Sequence, residues 1–246
     1  MMNGNVRLIL MGLVAAGAVA GTVYLYSTTW VVDQNLEQCK SGTPKAKIDA
    51  CTQVITSGKT DKDDLAEAYF NRASAYSLLE KYDRAQPDYE AATRLAPDNF
   101  AFLAERAGNE IELGRYQPAI KDFDAAISGL PNAYAYNGRC WARAVWGREL
   151  DKALADCNRS LKLSPNYYAA FDSRALVEFR LGQYDKAVGD DSQVLSDNPD
   201  LAPSLYIRGL ARLRTGNLKD GNADIAKAKK ADPKIAETYA GYGVTP

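Results

Sequence analysis

Two apolar patterns divide the chain. Between Leu8 and Tyr26 apolar residues run almost without a break after a single Arg7, and no charge occurs from 8 to 32. From Ala66 onward the apolar positions are small or aromatic, interleaved with polar ones, and the arrangement recurs. Ala66-Glu67-Ala68-Tyr69-Phe70-Asn71-Arg72-Ala73 lies over Phe100-Ala101-Phe102-Leu103-Ala104-Glu105-Arg106-Ala107. Tyr82 then falls on Tyr116, Ala85 on Ala119, Asp88 on Asp122, Tyr89 on Phe123 and Pro97 on Pro131, a period of 34 residues. A fixed period of this size marks stacked supersecondary units, each burying its apolar face against the next.

Five copies are predicted, at 66–99, 100–132, 133–167, 168–201 and 202–235. Each reads as a helix, a tight turn and a second helix. Gly114, Gly147, Gly182 and Gly216 stand at four of the turns, where a helix end requires φ > 0, and the first copy has Glu80-Lys81-Tyr82 instead. Pro97, Pro131, Pro165, Pro199 and Pro233 cannot continue a helix and mark the joints. Residues 33–65 read as a capping half-copy with a linker, in which Asp63 or Asp64 is the expected N-cap. Residues 236–246 read as a polar, solvating tail. The expected fold class is therefore all-α, a solenoid of helical hairpins.

The small residues, turn glycine, aromatic and proline at this period resemble the tetratricopeptide repeat family, over about 200 residues. Here Tyr69, Leu103, Tyr136, Phe171 and Leu205 take the place of that family's tryptophan, and arginine takes that of its leucine. The resemblance implies a right-handed superhelix that binds another protein. It does not carry over the family's carboxylate clamp, because Phe70 and Ser74 occupy the lysine and asparagine places.

The N-terminal run leaves two readings open for residues 1–32. About 19 apolar residues just span a bilayer core, and Tyr24, Tyr26 and Trp30 suit an interfacial belt, which favours a signal anchor. Ala18-Val19-Ala20 is a cleavage signal, which favours a removable signal peptide. Either way the remainder is expected outside a bacterial cytoplasmic membrane: single-pass with periplasmic repeats, or soluble and periplasmic after cleavage near Ala20.

Composition narrows the chemistry. The 246 residues include 30 basic, 31 acidic and no histidine side chains. No global basic field draws nucleic acid, and the commonest general base and metal ligand is missing. No nucleophile and base constellation stands out, so no enzyme activity, cofactor or metal is expected.

Two constellations read as structural. Arg72, Arg106, Arg139, Arg174 and Arg208 are each followed by an acid, Asp88, Asp122, Asp156, Asp190 and Asp224, at a separation of 16, or 17 in the third copy with its extra turn residue. In the half-copy both places are lost together, to Gln38 and Val54. Joint loss is what a paired charge predicts, since removing one member strands the other. An anion-binding or catalytic row of arginines is the rival reading. The cysteines follow the same frame: Cys39 with Cys51, and Cys140 with Cys157, would each bridge one hairpin. Export favours disulfides, worth about 3 kcal/mol each. Two core thiols are the alternative for the second pair.

If the helices stack as in the family, the inner face carries Phe70, Tyr134, Asn137 and Trp141, then Asp172, Leu176 and Phe179, then Tyr206 and Leu210, with Arg180 and Arg214 alongside. This is a largely aromatic and aliphatic groove suited to a peptide or partner helix. The expected function is a protein-interaction scaffold of the cell envelope. The alternatives are an accessory subunit of an envelope enzyme or of a secretion or assembly complex, or a cryptic enzyme.

Overall fold

A computed structural model describes residues 34–245, and the N-terminal apolar run lies outside them. Every regular element among the described residues is helical. None of these helices is long and apolar enough to cross a membrane.

Helix α1 occupies 34–41. Helix α2 (Pro44–Ser57) begins where the Thr43 side chain accepts from the Ala46 amide, and it ends on Gly58 at φ 63°. The disulfide Cys39–Cys51 ties these two helices into a hairpin. Helix α3 (Lys62–Leu78) starts earlier than expected. Its N-cap is Asp61, not Asp63 or Asp64, because Asp61 is extended and its carboxylate accepts from the amides of both. The two later acids lie inside the first turn, where the amide dipoles favour negative charge.

Ten helices make five hairpins: α3 with α4 (Tyr82–Leu95), α5 (Phe100–Glu112) with α6 (Tyr116–Gly129), α7 (Ala133–Trp146) with α8 (Leu150–Leu163), α9 (Tyr168–Arg180) with α10 (Tyr184–Asp197), and α11 (Ala202–Arg214) with α12 (Leu218–Ala231). A short α13 (Ile235–Gly241) follows. Successive first helices approach one another, α3 to α5 to α7 to α9 to α11, whereas no two second helices do. The array is thus curved, with first helices on the inner face and second helices outside.

Hairpin closure depends on small side chains. Ala73 and Ala85, Ala107 and Ala119, and Ala175 and Ala187 are all fully buried. The last hairpin is tighter: a Cβ on Gly209 would come 2.9 Å from the Gly221 carbonyl oxygen, and one on Gly221 equally close to that of Gly209.

One guanidinium locks each hairpin to its predecessor. The Nε and Nη2 of Arg72, Arg106, Arg139, Arg174 and Arg208 donate to both oxygens of Asp88, Asp122, Asp156, Asp190 and Asp224, at 2.6–2.9 Å. The remaining Nη1 reaches back to the second helix of the preceding hairpin. Its acceptors are Thr52, Thr93, Asp124, Asn158 and Ser192. The rival reading of a free anion-binding row does not fit, because all three nitrogens of each of these guanidiniums are engaged by the protein's own acceptors.

Four residues after these arginines the second to fifth copies alternate in sign, while the first has Tyr76. Arg143 and Arg212 add a second cation to Asp156 and Asp224. Glu110 and Glu178 bring a second carboxyl toward Asp122 and Asp190, and one oxygen of each has no partner. Burial first, and then the neighbouring aspartate, push both carboxyls up to about 7.

Two predictions follow from this network. Arg106→Leu or Asp122→Leu alone should cost about 3 kcal/mol, since each strands a mostly buried partner. The double variant should recover at least about 1 kcal/mol of the sum in denaturant unfolding; additive losses would show that the pair contributes nothing as a pair. Glu110 and Glu178 ionise less readily in the fold than at the ordinary value of 4.5. Their share of stability is therefore present below pH 4.5 and lost as the pH rises through about 7. Glu110→Gln and Glu178→Gln should each raise stability at pH 8, on the order of 2 kcal/mol, and change little at pH 4. Equal effects at both pH values would contradict this.

Candidate functional site

The inner face does not keep all the groove residues that the repeat register places on it. Leu176, Tyr206 and Leu210 are fully buried and Phe179 is 9% exposed, so these four are core rather than contact surface. All four belong to one continuous cluster that runs through several hairpins. Tyr206 is also covered by Tyr239 of α13, at 5.3 Å between ring centroids.

The cover comes from the C-terminal segment. Instead of solvating the end of the stack, it turns back across the inner face. Ile235, Tyr239 and Val244 are 2–3% exposed. Tyr242 sets its ring edge against Trp141 of α7, 5.9 Å away at 86°. Its carbonyl accepts from Arg180 of α9, and the Thr245 carbonyl accepts from Arg214 of α11 at 3.2 Å. Both expected groove arginines thus hold the protein's own backbone. Arg180 has no carboxylate partner and a buried, unbonded Nε, and burial lowers its pKa.

The remaining predicted residues split into two places. Phe70 stacks on Phe102 at 4.3 Å, half-buried, while Tyr134 is 47% exposed with its hydroxyl donating to Glu105 at 2.9 Å. Beside them lies an open recess of about 300 Å³ at α3–α5, lined by Leu78, Tyr82, Glu105, Gly108 and Glu112. Asn137, Trp141 and Asp172 meet instead around a second open cavity of about 370 Å³, which Ile235, Tyr239 and Tyr242 also line. Asn137 is 8% exposed and its Oδ1 has no partner among the described residues. Asp172 Oδ1 accepts from the Ser204 hydroxyl at 2.7 Å, and burial raises its pKa. Deeper still, Asp191 is fully buried with neither oxygen bonded, and burial pushes its carboxyl well above the ordinary range.

Sequence reading missed the tail because its pattern, Ile235-x-x-x-Tyr239-x-x-Tyr242-x-Val244, falls outside the 34-residue frame. Its spacing of apolar residues was the available signal. The cysteines need no correction: the sulfurs of Cys140 and Cys157 lie 2.00 Å apart, joining α7 to α8, and those of Cys39 and Cys51 2.08 Å apart. Among the described residues no group of three or more cysteine, aspartate or glutamate side chains is arranged to hold a metal.

Residues 66–99, the α3–α4 hairpin with its joint, match the tetratricopeptide repeat family. The match covers that one hairpin. Solved structures extend that likeness in fold to the whole array. A tetratricopeptide repeat protein from Parabacteroides merdae is 20% identical with a TM-score of 0.66, covering 87% of this chain and 83% of its own. A thermophilic tetratricopeptide repeat protein of Thermus thermophilus is 23% identical at 0.62, covering 72% and 97%. YrrB, described as having an unusual peptide-binding site, is 21% identical at 0.53, covering 78% and 98%. No curated protein matches the chain.

The docked tail gives a direct test of the inner face. Val244→Asp places a charge where the side chain is 2% exposed and should lift the tail from the array. The Val244 amide, which donates to the Tyr239 carbonyl at 2.9 Å, should then lose hydrogen-exchange protection while α3–α10 keep theirs. Unchanged protection would show that the segment does not depend on this contact.

Proposed function

We propose that this protein is an interaction scaffold whose inner face takes a peptide or helix from a partner protein. The observation that carries the reading is the cavity at Trp141. The array and its own tail together leave a recess of about 370 Å³, walled by aromatic rings and large enough for one long side chain of a partner. Exposed Tyr134 and the α3–α5 recess continue the accessible surface toward the other end of the array. The peptide-binding site named for YrrB supports this use of the fold.

The location proposed is the bacterial cell envelope. The apolar leader, read as an anchor or a signal peptide, would place the array outside the cytoplasmic membrane. Two disulfides within hairpins suit an oxidising compartment. The partner is then another envelope protein.

Selection of twelve-residue peptides from a random library on the full chain tests the reading. Trp141→Ala should weaken binding of the selected peptides at least tenfold, as loss of a central aromatic anchor does, with helix content retained. Tyr134→Ala should weaken it less. Affinities unchanged in both variants, with the fold intact, would move the binding surface off the inner face.

A further inference from the structure

The cavity at Trp141 has the chemistry of a cation receptor. Three aromatic rings wall it, with Trp141 and Tyr242 crossing at 86° and Tyr239 and Tyr242 at 79°, their centroids 5.9 and 5.7 Å apart. The faces of aromatic rings attract cations. The polar lining is one-sided. Asp172 and Asp232 contribute carboxylates and Asn137 an amide, and no lysine or arginine lines the space. Arg180 and Arg214, the two arginines expected on the inner face, are engaged with the tail carbonyls. An anionic ligand would therefore meet two carboxylates and no cation.

Two acceptors wait without donors. The buried Asn137 Oδ1 has no hydrogen-bond partner among the described residues, an arrangement that ordinarily costs about 1–3 kcal/mol unless a ligand or water completes it. Asp172 spends Oδ1 on the Ser204 hydroxyl, and no described residue donates to its Oδ2. Unfilled acceptors call for a ligand that donates hydrogen bonds, which excludes a quaternary ammonium. The Ser204 hydroxyl already takes one lone pair of Oδ1, which leaves fewer free sites for a planar guanidinium fork that engages both oxygens at once. A compact primary ammonium, with three donors that turn freely, matches what remains.

We infer that this cavity receives a primary ammonium group, the side chain of a lysine in the partner segment, with its carbon stem against Trp141, Tyr239 and Tyr242 and its N–H groups on Asp172 and Asn137. The lysine assignment rests on the groove reading above, while the ammonium preference of the cavity stands on its lining alone.

The test titrates the full chain with n-butylammonium chloride and, separately, with n-butanol, following the Trp141 indole and Tyr242 ring signals by NMR. Butylammonium should give saturable shifts confined to the cavity, at least tenfold tighter than butanol. Asp172→Asn, which keeps the Ser204 contact, and Asn137→Ala should each abolish most of that preference. Equal binding of the two probes would reduce the cavity to an apolar recess and overturn the inference, as would shifts that map elsewhere. In the peptides selected above, replacing lysine by norleucine should cost at least tenfold against the native chain and little against Asp172→Asn. Selected peptides that do not depend on lysine would overturn the lysine assignment. A library that yields no peptide would instead sink the groove reading, with the butylammonium titration still deciding the cavity.

Discussion

A guanidinium with five donors can bind three helices at once, and this array uses that capacity at every joint. Two nitrogens of each of the five arginines fix the aspartate of their own hairpin, and the third takes a hydroxyl, amide or carboxylate from the hairpin before. The aspartate sets the angle within a hairpin, and the backward contact sets the step between hairpins. Curvature and the placement of every first helix on the inner face follow from those two restraints repeated. Lysine has no planar fork and would satisfy at most part of this geometry.

The alternation next to that network shows a cost built into the same frame. Arg143 and Arg212 shield their aspartates with a second cation, while Glu110 and Glu178 crowd theirs with a second carboxyl. Repeats of one architecture thus differ in how firmly they hold at neutral pH. The second and fourth carry the ionisation penalty, and the third is reinforced further by the Cys140–Cys157 bridge. Stability along a stacked array is a sum of unit and neighbour contributions, so these differences stay local.

The phase of the sequence revealed the hairpins, the arginine and aspartate pairing and the cysteine partners, because each depends on a position within one 34-residue unit. What phase could not show is what covers a position once units stack. Leu176, Tyr206 and Leu210 occupy inward places by register and are nevertheless core, since neighbouring first helices and α13 close over them. The third contact of each guanidinium was hidden for a different reason. Its acceptor changes from threonine to aspartate, asparagine and serine, so no single residue type repeats. Asp61 was passed over as N-cap because Asp63 and Asp64 have the same chemistry, and only backbone conformation separates them.

Charge accounting links the structural network to the inner face. The chain is nearly neutral overall, with a formal charge of −1, yet neutrality is unevenly placed. Seven arginines neutralise the buried aspartates of the joints, and two more are committed to the tail carbonyls. What remains along the accessible inner face is acidic: Glu105 and Glu112 at the first recess, Asp172 and Asp232 at the second. Low-dielectric walls sharpen the field of such groups within a recess. The demand that holds the helices together, for arginine at every joint, therefore leaves a face whose electrostatic complement is a basic segment, with the aromatic rings of Trp141, Tyr239 and Tyr242 as the place where one cation is taken out of water.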